Sequence, residues 1–174
     1  MIGRWLRYLF SGVVIVLIVI QFFRGELPEP QSRPATDLLA TGEVPEPIAS
    51  MLMTSCYDCH SVESKYPWYS QVAPTSWLVA RDVREAREEM NLSEWTGLPK
   101  RKKIKTLENI KEEVGEGEMP LPIYLTIHWD AKLSAEQRKQ IVDWASAYQD
   151  KILSQPEPDQ DNEEEDEDEE NGGV

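Results

Sequence analysis

Cysteine occurs twice in this chain, and both copies fall within five residues, Cys56-Tyr57-Asp58-Cys59-His60. No other feature restricts the possible folds as much. Two thiols three positions apart share a helical turn, and from there they reach the two vinyl groups on one edge of a porphyrin. The histidine after the second cysteine then brings its imidazole to the iron. Thioether bonds do not dissociate, so a small and largely open domain can keep such a group. The spacing predicts one covalently bound haem c, attached through Cys56 and Cys59 with His60 as proximal ligand.

Other uses of a cysteine pair fit less well. A thioredoxin-like CxxC follows a strand in βαβ surroundings, and neither pattern is visible here. A Cys2His2 zinc site would have to combine Cys56, Cys59, His60 and His128, whereas zinc ligands usually come as two separated pairs. A plain disulfide leaves His60 without a purpose, and a disulfide framework needs more cysteines than two.

The first residues add a second constraint. Leu9 to Phe23 reads LFSGVVIVLIVIQFF without a charge, and Trp5, Leu6 and Tyr8 extend the apolar character backwards. Roughly 20 apolar residues span a bilayer as a helix. Arg4 and Arg7 precede the run and direct the N-terminus to the cytoplasm by the positive-inside rule. A cleaved signal peptide would show small residues after the apolar stretch, but Gln21-Phe22-Phe23-Arg24-Gly25 stands there. Residues 1–24 are therefore read as an uncleaved signal anchor. The expected location is a bacterial inner membrane, crossed once, with the remainder facing the periplasm, where haem is joined to cysteine pairs.

Charge is distributed unevenly. The formal net charge is -14, yet 11 of the 32 acidic residues lie between Glu157 and Glu170. Setting those aside leaves 21 acids against 18 Lys and Arg, so the rest is nearly balanced. No basic face of the kind nucleic acid requires is apparent, and no nucleic-acid partner is expected. Residues 155–174 read as a disordered acidic tail, too polar to offset the entropy of ordering. Residues 25–47 contain five prolines and read as an extended linker holding the following domain away from the bilayer.

Residues 48–154 carry four helical signals and no convincing strand. A short one over Ile48–Thr54 leads into the cysteines. In Trp77–Met90, the residues Val79, Val83, Ala86 and Met90 recur at helical spacing. Lys100–Glu113 has Ile104, Leu107, Ile110 and Val114 on one side. Ser134–Leu153 opens with a Ser134/Gln137 capping box and presents Ile141, Trp144, Ala145, Tyr148 and Ile152 as one stripe. The fold class read from these signals is all-α: a small cytochrome c-like helical domain around one haem, preceded by a transmembrane helix.

An electron-carrying haem needs a second axial ligand, usually Met or His. Met119 is preferred. It lies in the loop Gly115-Glu116-Gly117-Glu118-Met119-Pro120-Leu121-Pro122, 59 residues after His60, where the chain can fold over the far haem face. Met90 occupies a helix stripe, where packing is the commoner use of methionine. His128 is equally suited to a half-buried hydrogen bond. Both remain alternatives. Tyr66, Trp68, Tyr69, Trp77, Trp129 and Trp144 suit a haem pocket or an ordinary aromatic core, and Arg81, Trp77 or Tyr69 would serve as donors to haem propionates.

From Pro45 to Tyr148 the chain resembles the cytochrome c-like "haem-binding domain" proteins, single-haem modules often preceded by one membrane anchor. The resemblance rests on Ser55-Cys56-Tyr57-Asp58-Cys59-His60-Ser61, Tyr66-Pro67-Trp68-Tyr69, Ala73-Pro74-Thr75-Ser76-Trp77-Leu78, Asn91-Leu92-Ser93-Glu94-Trp95, Gly117-Glu118-Met119-Pro120-Leu121-Pro122 and the Trp144 helix. It implies covalent haem at Cys56 and Cys59, ligation by His60 and Met119, and electron exchange with redox partner proteins. The expected role is a carrier and not an enzyme. A peroxidase would need an open distal position with an acid-base group such as His128 or Glu118, and no dedicated catalytic constellation is visible. A haem sensor or a subunit of a larger membrane complex is the remaining alternative.

Overall fold

The computed structural model describes residues 2–156. Within them all regular structure is helical, in agreement with the all-α expectation. Helix α1, Ile2–Ile20, is long and apolar enough to cross a membrane by length and composition, and its residues from Gly3 to Val19 lie exposed. Helix α2 covers Glu46–Ser55, with Pro47 in its first turn, where a missing N–H costs nothing. It breaks at Cys56, and a single turn, α3, follows over Tyr57–His60. Helices α4 (Thr75–Glu89), α5 (Lys100–Glu116) and α6 (Ala135–Ser154) complete the domain, joined by short 3-10 turns.

Helices α5 and α6 pack antiparallel. Lys100 Nζ donates to the carbonyl of Gln155, while the Gln149 amide donates to the carbonyl of Ile104 further along. Leu107, Ile110 and Val114 of α5 meet Ile141, Trp144, Ala145 and Ile152 of α6 in a core that also takes in Ile48, Met51, Leu52 and Tyr57. The predicted stripes on these helices are buried as expected, except that Ile104 and Tyr148 are only half-buried. The capping box of α6 forms in both directions: Gln137 N–H donates to Ser134 Oγ, and Ser134 N–H to Gln137 Oε1.

Helix α4 differs from its predicted stripe. Ser76, Ala80 and Val83 are its fully buried residues, while Val79, Ala86 and Met90 are half-buried. The reason is a close approach by the chain leaving α1. A Cβ on Gly25 would stand 2.6 Å from the Ser76 carbonyl oxygen and 2.9 Å from Ala80 Cβ. Small residues face inward at the start of α4 because main chain lies against them.

The reading of residues 25–47 as a spacer needs correction. Gln31 N–H donates to the Val62 carbonyl at 2.7 Å, and Thr96 N–H to the Thr36 carbonyl at 2.9 Å. Asp37 and Leu38 are wholly buried, and Leu38 belongs to the main core. The stretch lies along the domain as part of it, with a 3-10 turn over Leu38–Thr41 before α2 begins at Glu46. The acidic run from Glu157 onward, expected to be disordered, lies outside the described residues.

Candidate functional site

The CxxCH residues occupy one tight turn at the end of α2. Cys59 N–H and His60 N–H both donate to the Cys56 carbonyl, at 3.2 and 2.9 Å, which puts both thiols and the imidazole on one short stretch of helix. Both cysteines are free thiols and half-buried. Burial pushes their thiols up, Cys56 to about 12 and Cys59 to about 11, with the neighbouring thiol and Asp58, respectively, adding to the effect. Neither is therefore a thiolate at neutral pH. Among the described residues no group of three or more His, Cys, Asp and Glu side chains is placed to hold a metal ion, so the zinc arrangement with His128 does not assemble.

The two residues between the cysteines hold the turn from either side. Tyr57 is buried and its hydroxyl donates to Asp37 Oδ1 at 2.8 Å. Asp37 also accepts from Ser93 Oγ at 3.0 Å and from the Leu39 amide at 2.8 Å, so a wholly buried carboxylate has three donors. Arg33 lies 3.7 Å from it. On the other side Asp58 accepts from the Lys65 amide at 3.0 Å and from the Tyr124 hydroxyl at 3.2 Å. Ser55, just before the motif, donates to the Ala131 carbonyl at 2.9 Å. Asp37 and Tyr124 carry no signal in the sequence, because they lie 20 and 66 positions from the residues they hold.

His60 is oriented by the end of α4. Its Nδ1 lies 3.0 Å from the Ala86 carbonyl and 3.1 Å from the Met90 carbonyl, and a proton there is shared between them. That hydrogen bond fixes the tautomer with Nε2 as the bare, lone-pair nitrogen. Burial lowers the His60 pKa below the ordinary 6.5, against the smaller opposing pull of the two carbonyls, which keeps the ring neutral. A neutral imidazole with Nδ1 tied to backbone carbonyls is the usual arrangement of a metal-binding histidine.

The three candidate second ligands occupy different surroundings. Met119 follows the C-cap of α5, where Gly117 adopts φ 82°. The amides of Gly117, Glu118 and Met119 all converge on the Glu113 carbonyl, at 3.1, 2.9 and 3.1 Å. The Met119 side chain is half-buried against the same core that Cys56 packs on. Met90 gives its carbonyl to His60 Nδ1, which puts its main chain on the side of the ring away from Nε2. His128 stacks on Tyr124, with ring centroids 4.0 Å apart and planes 7° from parallel, and its Nε2 is hydrogen-bonded to the Tyr69 hydroxyl.

The donors suggested for propionates are all engaged elsewhere. Arg81 pairs with Asp82, the Trp77 indole donates to the Phe23 carbonyl, and Tyr69 is bonded to His128. Among the described residues, two other side-chain groups are buried without an acceptor: Arg87 Nε and the Tyr66 hydroxyl. Arg87 is close enough to Cys59 to lower the thiol's pKa slightly, and its NH2 donates to Ser64 Oγ at 2.9 Å. Orphaned donors of this kind are uncommon in native proteins. A haem brings two carboxylates, so free thiols, an oriented imidazole and unsatisfied donors together fit that group.

Fold and site thus define a small all-helical domain around one turn that presents two thiols and an imidazole. The chain matches the family model described as "Haem-binding domain" over residues 15–147 and belongs to that family. No curated protein and no solved structure matches it. The match begins inside α1 and runs through the segment that carries Asp37 and Leu38. The family unit therefore includes the stretch that composition alone suggested was a spacer.

Proposed function

We propose that this protein is a membrane-tethered single-haem c-type cytochrome that carries one electron at a time outside the cytoplasm. The observation that carries the reading is His60: it directly follows the second of two free thiols, and the Ala86 and Met90 carbonyls hold its Nδ1 so that Nε2 is free for iron. Cys56 and Cys59 would hold the group, each thiol adding across one vinyl group with no atom lost. Burial raises both thiol pKa values, so neither thiol is pre-activated for this addition. The bound group supplies a one-electron redox centre.

Protein residues do the remaining work. The carbonyls at the end of α4 make the imidazole a stronger donor, because they lie at the negative end of the helix. The Glu113 carbonyl and the Gly117 cap fix the start of the loop that carries Met119, which would serve as second ligand. A thioether raises the reduction potential relative to two histidines. The potential then suits acceptance from quinol-level donors and delivery to a terminal oxidase or peroxidase. Arg87 and Tyr66 would supply donors to its carboxylates.

Spectra of wild type and Met119→Ala test this reading. Wild-type protein should keep its haem through denaturation and acid-acetone extraction, and reduced protein should ignore carbon monoxide. Met119→Ala should lose the sulfur-to-iron charge-transfer band of the oxidised form and bind carbon monoxide. Survival of that band rules out Met119 as ligand. Rapid carbon monoxide binding by wild type favours a peroxidase or sensor over a carrier.

A further inference from the structure

The junction between α1 and the domain is too well made for a simple tether. Gln21 stands one residue past the end of α1, and its side-chain amide pairs with both polar groups of Ala73. Nε2 donates to the Ala73 carbonyl at 2.9 Å, and the Ala73 amide donates to Oε1 at 3.0 Å. Arg24 donates to the Gln71 carbonyl at 3.3 Å, and Gly25 N–H to Ser76 Oγ at 3.3 Å. The Trp77 indole N–H donates to the Phe23 carbonyl. Gly25 then seats against the Ser76 carbonyl and Ala80 so closely that no Cβ fits. Four of the five residues Gln21–Gly25 leave the apolar helix already bonded to residues 71–77.

We infer that the haem domain is docked on the bilayer, with the start of α4 seated in the lipid headgroup layer, rather than suspended from a flexible linker. The inference rests on the reading of α1 as a membrane span. If α1 spans, the Phe23 carbonyl marks the level where apolar helix gives way to water, and the Trp77 indole bonded to it stands at that depth. Trp77, Leu78 and Val72 are exposed large apolar residues at this junction, 42 %, 37 % and 40 % accessible. A tryptophan with its ring exposed and its N–H satisfied suits the membrane interface, where indole is enriched. The occupant of this surface is thus the headgroup and upper acyl region, continuous with the lipid around α1. Two facts agree with a fixed orientation. The family match runs unbroken from residue 15 through the junction, and the rest of the 25–47 stretch lies along the domain, leaving no free length to act as a hinge.

Fluorine resonances of 5-fluorotryptophan in the full chain, reduced and placed in phospholipid nanodiscs, test this. Trp→Phe variants assign the signals, and a lipid spin-labelled at the headgroup is the probe. Broadening of Trp77 as strong as that of Trp5, with buried Trp95 and Trp144 little affected, is the expected result. Gly25→Val and, independently, Gln21→Ala should weaken the Trp77 broadening at least twofold and leave Trp5 unchanged. Trp5 broadened with Trp77 as sharp as Trp144 overturns the docking while the span stands. Neither Trp5 nor Trp77 broadened overturns the span itself, and the docking with it.

Discussion

Single residues decide how the turn that presents the imidazole is held. Asp37 is a carboxylate with no exposure, made tolerable by Tyr57, Ser93 and the Leu39 amide. Hydrogen bonds to a buried charge contribute about 1.5–3 kcal/mol each. Tyr57→Phe should therefore lower the free energy of unfolding by about 2 kcal/mol, read from urea titrations. His60 makes a pH prediction. Its folded-state pKa lies below 6.5, so the unfolded chain takes up the proton first as pH falls. The stability due to neutral His60 is complete above pH 6.5 and is lost as pH falls through the lower folded value. In a haem-free Cys56→Ala/Cys59→Ala chain, the urea midpoint should fall as pH drops from 7 to 5, and His60→Gln should flatten that fall.

At the scale of elements, local pattern and packing contribute separately. The capping box of α6 is legible because Ser134 and Gln137 are three positions apart and bond only to each other's backbone. Ser134→Ala should cost about 1 kcal/mol. Trp144, at the crossing of α6 with the core, should cost about 3–5 kcal/mol as Trp144→Ala. Thermal unfolding of the two variants would show that ranking directly. Helix α4 is where periodicity misleads. Val79, Ala86 and Met90 recur at the right spacing, yet the closest approach is made at Ser76 and Ala80, because Gly25 backbone sits on that side. A hydropathy pattern records which residues are greasy and carries no record of where a neighbouring main chain comes close.

At the scale of the whole molecule, the unit that folds begins earlier than its apolar stripes suggest. Leu38 is a core residue and Asp37 anchors the haem-motif turn, so a chain starting at Pro45 loses both. Compared with a chain of residues 26–156, one of residues 45–156 should be less stable by about 5 kcal/mol, from one large buried aliphatic and its neighbouring buried hydrogen bonds. Circular dichroism melts of the two would show a cooperative transition only in the longer one. A melt unchanged by the truncation would return residues 25–44 to the role of a spacer.

The clustering of two thiols and one imidazole was readable in the sequence. Cys56, Cys59 and His60 share one helical turn, and that grouping follows from their spacing alone. Helix periods and caps are local too, which is why α5 and α6 fall where their stripes place them. Tertiary structure alone decided what holds Nδ1 of His60, which buried donors lack an acceptor, and that Gln21–Gly25 lock onto residues 71–77. Each of these depends on partners 20 or more positions apart, chosen by burial and by which backbone groups are left unpaired. The five-residue motif therefore marks where two thiols and an imidazole come together, and the packed chain around it sets their orientation.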